Sequence, residues 1–122
     1  MPNWQPNWKD ISWNHGAAEA AAAALRHAAA VLDQTADERA RVADEARAEW
    51  RGRYRDEFDD KFTQMLRRAH ELAGEYRAAA NQVLGANQRA REEQARRERD
   101  RGRWRLEKED EDRARQQQAR SR

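Results

Sequence analysis

Glu49-Trp50-Arg51-Gly52-Arg53-Tyr54 is the stretch on which the rest of the chain turns. Upstream lies a long alanine-rich segment with a helical apolar repeat. Downstream lies a second helical repeat that opens with aromatic residues. Gly52 has no Cβ to clash, so it suits the backbone conformation that ends a helix. Trp50 falls on the apolar face of the incoming helix and can fold over the turn. A short stop-and-start between two helices makes an α-α hairpin.

Working upstream, Ser12 or Asn14 can cap the first helix, with Gly16 close behind. Apolar positions recur at Leu25, Ala28, Leu32, Ala36, Val42, Ala46 and Trp50, in steps of three or four except where Arg39 interrupts. This predicts a helix from about Asn14 or Ala17 to about Glu49, roughly 50 Å long. Working downstream, the stripe resumes at Tyr54, Phe58, Phe62, Met65, Ala69, Leu72, Tyr76, Ala79 or Ala80, and Val83. That repeat has the three-four alternation of a coiled-coil seam. Folding about the turn sets Leu25 near Tyr76, Leu32 near His70, and Val42 near Asp59 to Phe62. Large residues on one arm then face small ones on the other.

Composition points the same way. The chain has 122 residues, 39% of them charged and 38% hydrophobic, and much of the hydrophobic share is alanine. Such a chain favours long helices over a compact mixed fold. A lone hairpin leaves an apolar seam exposed, and small cores are marginal. The expected fold is therefore an all-α, antiparallel two-helix hairpin that pairs with another hairpin into a four-helix bundle. Its seam comprises Leu25, Leu32, Val42, Tyr54, Phe58, Phe62, Met65, Leu72, Tyr76 and Val83.

Two segments flank the hairpin of residues 14–88. Residues 1–13 carry Pro2, Pro6, Trp4, Trp8 and Trp13. The prolines argue against a regular helix. So apolar an arm either packs back on the hairpin or docks on a partner, since tryptophan anchors interfaces. Residues 89–122 hold 13 basic and 9 acidic residues. Pairs such as Glu92 with Arg96 and Glu109 with Arg113 are spaced to sustain an overhanging charged helix. A break is expected at Gly102 and fraying from about Gln116. Trp104 is a further candidate partner anchor.

Little in the sequence speaks for chemistry. The absence of cysteine excludes disulfides and thiolate catalysis. His15, His27 and His70 do not converge, so no metal site is expected. The serines, Ser12 and Ser121, lie near the ends, and no glycine-rich phosphate loop exists. No catalytic residue, cofactor or metal is assigned. The tail's arginines are interleaved with Glu92, Glu93, Glu98, Asp100 and the run from Glu107 to Asp112, rather than segregated on one face as a nucleic-acid binder requires. No nucleic acid is expected as a partner. The N-terminus lacks the basic and apolar regions of a cleaved signal peptide, and no run is apolar enough to insert in a membrane.

Two long helices joined at Trp50-Arg51-Gly52 resemble the WXG family of type VII secretion, the small early-secreted-antigen-like proteins of actinobacteria and their relatives. The resemblance covers residues 14 to 88. It implies a hairpin that pairs, as homodimer or family heterodimer, into a four-helix bundle. It implies a secreted substrate or effector escort, cytoplasmic before export, presented to a type VII membrane ATPase, often with a larger effector or toxin. The family's Tyr-x-x-x-Asp/Glu export signal is not matched: Tyr54 is followed four residues on by Phe58, and Tyr76 by Ala80. A cytosolic coiled-coil adaptor, the targeting part of a larger toxin and, more remotely, a nucleic-acid-associated protein are the rival expectations.

Overall fold

A computed structural model describes residues 1–121. The described residues form two α-helices and no strand: α1, His15–Arg47, and α2, Arg53–Arg120. The 33 residues of α1 and the start of the 68-residue α2 pack against each other as an antiparallel hairpin, the all-α fold expected. The chain divides into two compact units. One is the hairpin, His15–Gly85. The other joins Met1–Asn14 to the α2 residues from Ala86 onward.

In the hairpin unit the core is made of alanine. Ala18, Ala22, Ala29, Ala36 and Ala43 are the buried residues of α1, the last four seven residues apart. On α2 they meet Phe62, Ala73 and Ala80, and Ala29, Ala73 and Ala80 have no exposed surface. A seven-residue repeat keeps one seam facing the partner helix. Alanine there lets two helices approach closely, with Leu25, Leu32, Leu66, Leu72 and Tyr76 half-buried along the flanks. The register lies close to the expected one: His70 Nδ1 sits 2.7 Å from Asp33 Oδ1, one residue from its predicted neighbour Leu32.

The turn differs in one respect from the sequence expectation. Helix α1 stops at Arg47, two residues early, and tightens through bonds from Ala48 N to Glu45 O and from Trp50 N to Arg47 O. Gly52 does not end α1. It begins α2: its carbonyl accepts from Arg55 N at 3.1 Å and Asp56 N at 3.4 Å, and its φ is +108°. Glycine is required there because the chain must reverse sharply just before α2. Trp50 folds over onto Phe58, with ring centroids 5.2 Å apart. Arg47 spans the end of the hairpin, over the rings of Phe58 and Phe62, and pairs with Asp44 and Asp59. A cation in the last turn also suits the helix dipole.

The second unit shows where the tryptophan arm lies. The expectation that it packs back on the hairpin gives way to a different placement, along the second half of α2. Trp13 Nε1 donates to Asn87 Oδ1 at 2.8 Å, and Ile11 N to Gln94 Oε1 at 2.9 Å. Arg97 and Arg101 donate to the carbonyls of Lys9 and Asn7. Trp104 is buried, donates to the Trp4 carbonyl at 2.9 Å, and meets Trp8 edge-on at 5.3 Å. Trp4 Nε1 donates to Glu107 at 2.6 Å while Arg103 lies 4.3 Å over its ring. The amino terminus ends against Glu111.

The arm residues therefore use side-chain donors and carbonyls, as an irregular proline-containing segment must when it has no ladder of its own. Contact positions Asn87, Gln94, Arg97, Arg101, Trp104 and Glu111 follow helical steps of three, four or seven on α2. The described part of the extension, residues 89–121, is therefore not a bare overhang. Helix α2 also runs through Gly85 and Gly102 without a break and continues to Arg120, past the expected fraying point at Gln116. Pairs spaced i,i+4, such as Arg96 with Asp100 and Arg103 with Glu107, accompany that continuity. The final residue, Arg122, lies outside the described residues.

Candidate interaction face

The two long edges of the hairpin differ in chemistry. One edge is closed by polar bridges between helices. Asp33 takes bonds from Arg77 at 2.6 Å and His70 at 2.7 Å, and Arg26 reaches Asn81 at 3.2 Å. The Arg77 and then His70 bonds hold the Asp33 carboxyl below the usual carboxylate range. Helical spacing places Glu19, Arg26, Asp33, Asp37 and Asp44 together on this edge of α1.

The opposite edge is open and apolar. It forms a cleft of about 450 Å³ lined by Thr35, Glu38, Arg39, Val42, Ala43, Ala46, Phe58 and Phe62. The cleft continues past Met65 and Ala69. Val31, Val42, Tyr54 and Met65 stand in solvent here, the last three 60%, 74% and 55% exposed. Toward the start of α1 the same edge carries the exposed Ala17, Ala20, Ala21 and Ala24. Exposed apolar residues gathered on one face, rather than scattered, mark an interaction surface.

The predicted seam residues thus separate into two groups. Phe62 is buried between the helices, and Leu25, Leu32, Phe58, Leu72, Tyr76 and Val83 are half-buried. Val42, Tyr54 and Met65 are not in the helix–helix interface of this chain; they belong to the open edge. The stripe read on α1 is one residue out of phase in places: Ala29 and Ala43, not Ala28 and Val42, face α2. Weighting large residues pulled the stripe toward the open edge. The missed signal is the strict spacing of Ala22, Ala29, Ala36 and Ala43, hidden among many other alanines. In the turn motif, Trp50, Arg51 and Gly52 are all exposed. Of the anchor candidates, Trp104 is buried, Trp4 is half-buried, and Trp8 and Trp13 keep an exposed side.

Among the described residues no cluster of three or more His, Asp or Glu side chains is placed to hold a metal ion, and no helix is long and apolar enough to cross a membrane. The class that fold and face define is a helical hairpin with one unpartnered apolar side. No protein-family model, curated protein or solved structure matches the chain.

Proposed function

We propose that this chain is a small type VII secretion substrate or effector escort that acts by pairing its hairpin with another helical hairpin, without catalysis. The observation that carries the proposal is the open apolar edge. It follows α1 from Ala17 to Ala46, roughly 45 Å, and α2 from Tyr54 to Ala69, roughly 20 Å. A face of that size is of the order of the roughly 800 Å² per partner of a standard stable interface. The placement of Trp50-Arg51-Gly52 at the reversal adds the resemblance to the WXG hairpins. Of the cations a nucleic-acid reading would use, Arg96, Arg97, Arg99, Arg101, Arg103 and Arg105, four (Arg96, Arg97, Arg101 and Arg103) are engaged with Glu93, Asp10, Glu107 and the arm.

The test is export. The intact chain is expressed in a bacterium that carries a type VII machine, with and without the machine's membrane ATPase. The expected result is intact protein in the medium only when the ATPase is present, and retention of a Val42→Asp, Met65→Asp variant in the cell. Both positions are exposed, so the variant keeps the hairpin. Phe62 is unsuitable for this purpose because it is part of the internal core. Equal distribution with and without the ATPase would refute the secretion role and leave the cytosolic coiled-coil adaptor.

A further inference from the structure

The N-terminal arm occupies α2 the way a bound peptide would. From Met1 to Trp13 it covers the helix from Glu111 back to Asn87. That stretch of helix is about 36 Å long. A polyproline II chain running from Met1 to Trp13 is about 37 Å long, so the arm lies extended and antiparallel to α2. Its sequence repeats: Pro2-Asn3-Trp4 is followed four residues on by Pro6-Asn7-Trp8. Both prolines are buried, while Asn3 and Asn7 are exposed. Both tryptophans meet Trp104, Trp4 through its carbonyl at 2.9 Å and Trp8 edge-on at 5.3 Å.

What α2 reads in the arm is general. Trp104, Arg101 and Arg97 donate to the carbonyls of Trp4, Asn7 and Lys9, a group that every residue type possesses. Buried prolines and indoles add the selectivity, as where an extended proline-rich ligand docks an aromatic-lined groove at low cost in ordering. The track also exists without its occupant, because the α2 backbone is hydrogen-bonded within the helix.

The arm is an imperfect occupant. The Arg101 side chain is only 13% exposed, and among the described residues its buried Nη2 has no acceptor. A buried charged donor left unmet costs free energy. Trp8 spends its Nε1 on Gln5 of the arm itself rather than on α2, and stays 45% exposed. A segment that brings an acceptor to Arg101 and seats its second indole more deeply holds the track better than the arm does.

We infer that residues 87–111 of α2 are a docking track for an extended segment of another chain, one that repeats Pro-x-Trp at a four-residue interval, and that the protein's own arm keeps the track closed until such a segment displaces it. The inference does not depend on the pairing role, which uses the open edge of the hairpin. Because the arm is tethered, it competes at an effective concentration of about millimolar, and this sets the threshold a partner must exceed.

The probe is a labelled synthetic peptide of residues 1–13 in which Asn3→Ala and Asn7→Ala leave the prolines and tryptophans in place. A shuffled peptide of equal composition is the control. Binding is read by fluorescence anisotropy on the full chain, as wild type and as a Trp4→Ala, Trp8→Ala, Trp13→Ala variant. These three positions lie in the arm, outside both helices. The variant should bind the probe at least about tenfold more tightly than wild type, because its arm no longer competes. Adding Trp104→Ala to the variant should abolish binding, and so should Arg97→Ala with Arg101→Ala, which retains the indole. In isotope-labelled wild-type chain, saturating probe should strip hydrogen-exchange protection from the Trp13 indole bonded to Asn87. No binding to the arm variant, or equal binding of the shuffled peptide, would overturn the inference. Equal affinity of variant and wild type, or binding that survives both sets of track substitutions, would place the peptide elsewhere and overturn it too. So would a wild-type Trp13 indole that stays protected at millimolar probe.

Discussion

Replacing Trp104 tests whether the N-terminal arm is held by its indole cluster. Trp104 is 9% exposed, donates to the Trp4 carbonyl at 2.9 Å, and meets the Trp8 ring edge-on at 5.3 Å. Trp104→Ala removes the buried ring, the ring pair and the hydrogen bond together. Truncating a buried tryptophan costs about 3–5 kcal/mol, of which the ring pair supplies about 0.5–1.5 and the hydrogen bond about 1. The loss falls on arm docking, because the backbone of α2 around Trp104 is satisfied within the helix. Three kcal/mol raises the open fraction of the arm roughly a hundredfold. Trp104→Phe keeps most of the ring and loses the hydrogen bond, so its effect should be roughly fivefold. The assay is hydrogen exchange of the Ile11 amide and of the Trp4 and Trp13 indoles, each of which has a bond to α2. All three should lose protection in Trp104→Ala, while the far-UV helix signal stays constant. Unchanged protection at Ile11 and Trp13 would refute the idea that Trp104 holds the arm. Loss of helix would show instead that the indole supports α2 itself.

Ala29→Leu forces a larger side chain into a site with no exposed surface and should lower stability by about 1–3 kcal/mol in thermal melts, whereas Ala24→Leu on the open edge should be nearly neutral. Gly52→Ala should cost about 1–3 kcal/mol from backbone strain alone, since φ is +108° and an added Cβ meets nothing within 4 Å. Gly74→Ala, inside α2 with equally open space, should stabilise by about 1 kcal/mol, so denaturant midpoints should move in opposite directions. Hydrogen bonds from Arg96 and then Arg97 lower the Glu93 carboxyl to about 2. A carboxyl group depressed on folding contributes stability above its ordinary value near 4.5, and that contribution is lost as pH falls from there through about 2. A carbon-detected NMR titration should place the Glu93 midpoint near 2; a midpoint near 4.5 would mean that the arginines do not hold it.

The hairpin was legible because helix period and turn chemistry are local. Steps of three and four along Phe58, Phe62, Met65, Ala69 and Leu72 report which side of a helix is apolar whatever the helix packs on. The exact seam was less legible. Val42 and Ala43 are adjacent apolar residues on a broad stripe, and choosing between them depends on the side from which α2 approaches. The same holds for Met65, apolar by type yet left on the open edge. Gly52 was placed correctly at the reversal, but whether it closes one helix or opens the next depends on which carbonyls and amides meet there. The arm's site on α2 had no local signal at all. Bonds such as Trp13 to Asn87 and Trp4 to Glu107 join residues 74 and 103 positions apart, and no periodicity encodes such a pairing.

By itself, then, the sequence determined two amphipathic helices and the reversal between them, because propensity, hydrophobic period and composition are properties of neighbouring residues. The tertiary structure alone decided that alanines rather than leucines form the innermost seam, that one edge is bridged by Asp33, His70 and Arg77 while the other stays open around Arg39, and that the tryptophan arm lies on α2. Those outcomes are set by helix rotation and by distant partners, which enter the free energy only once the chain has folded back on itself.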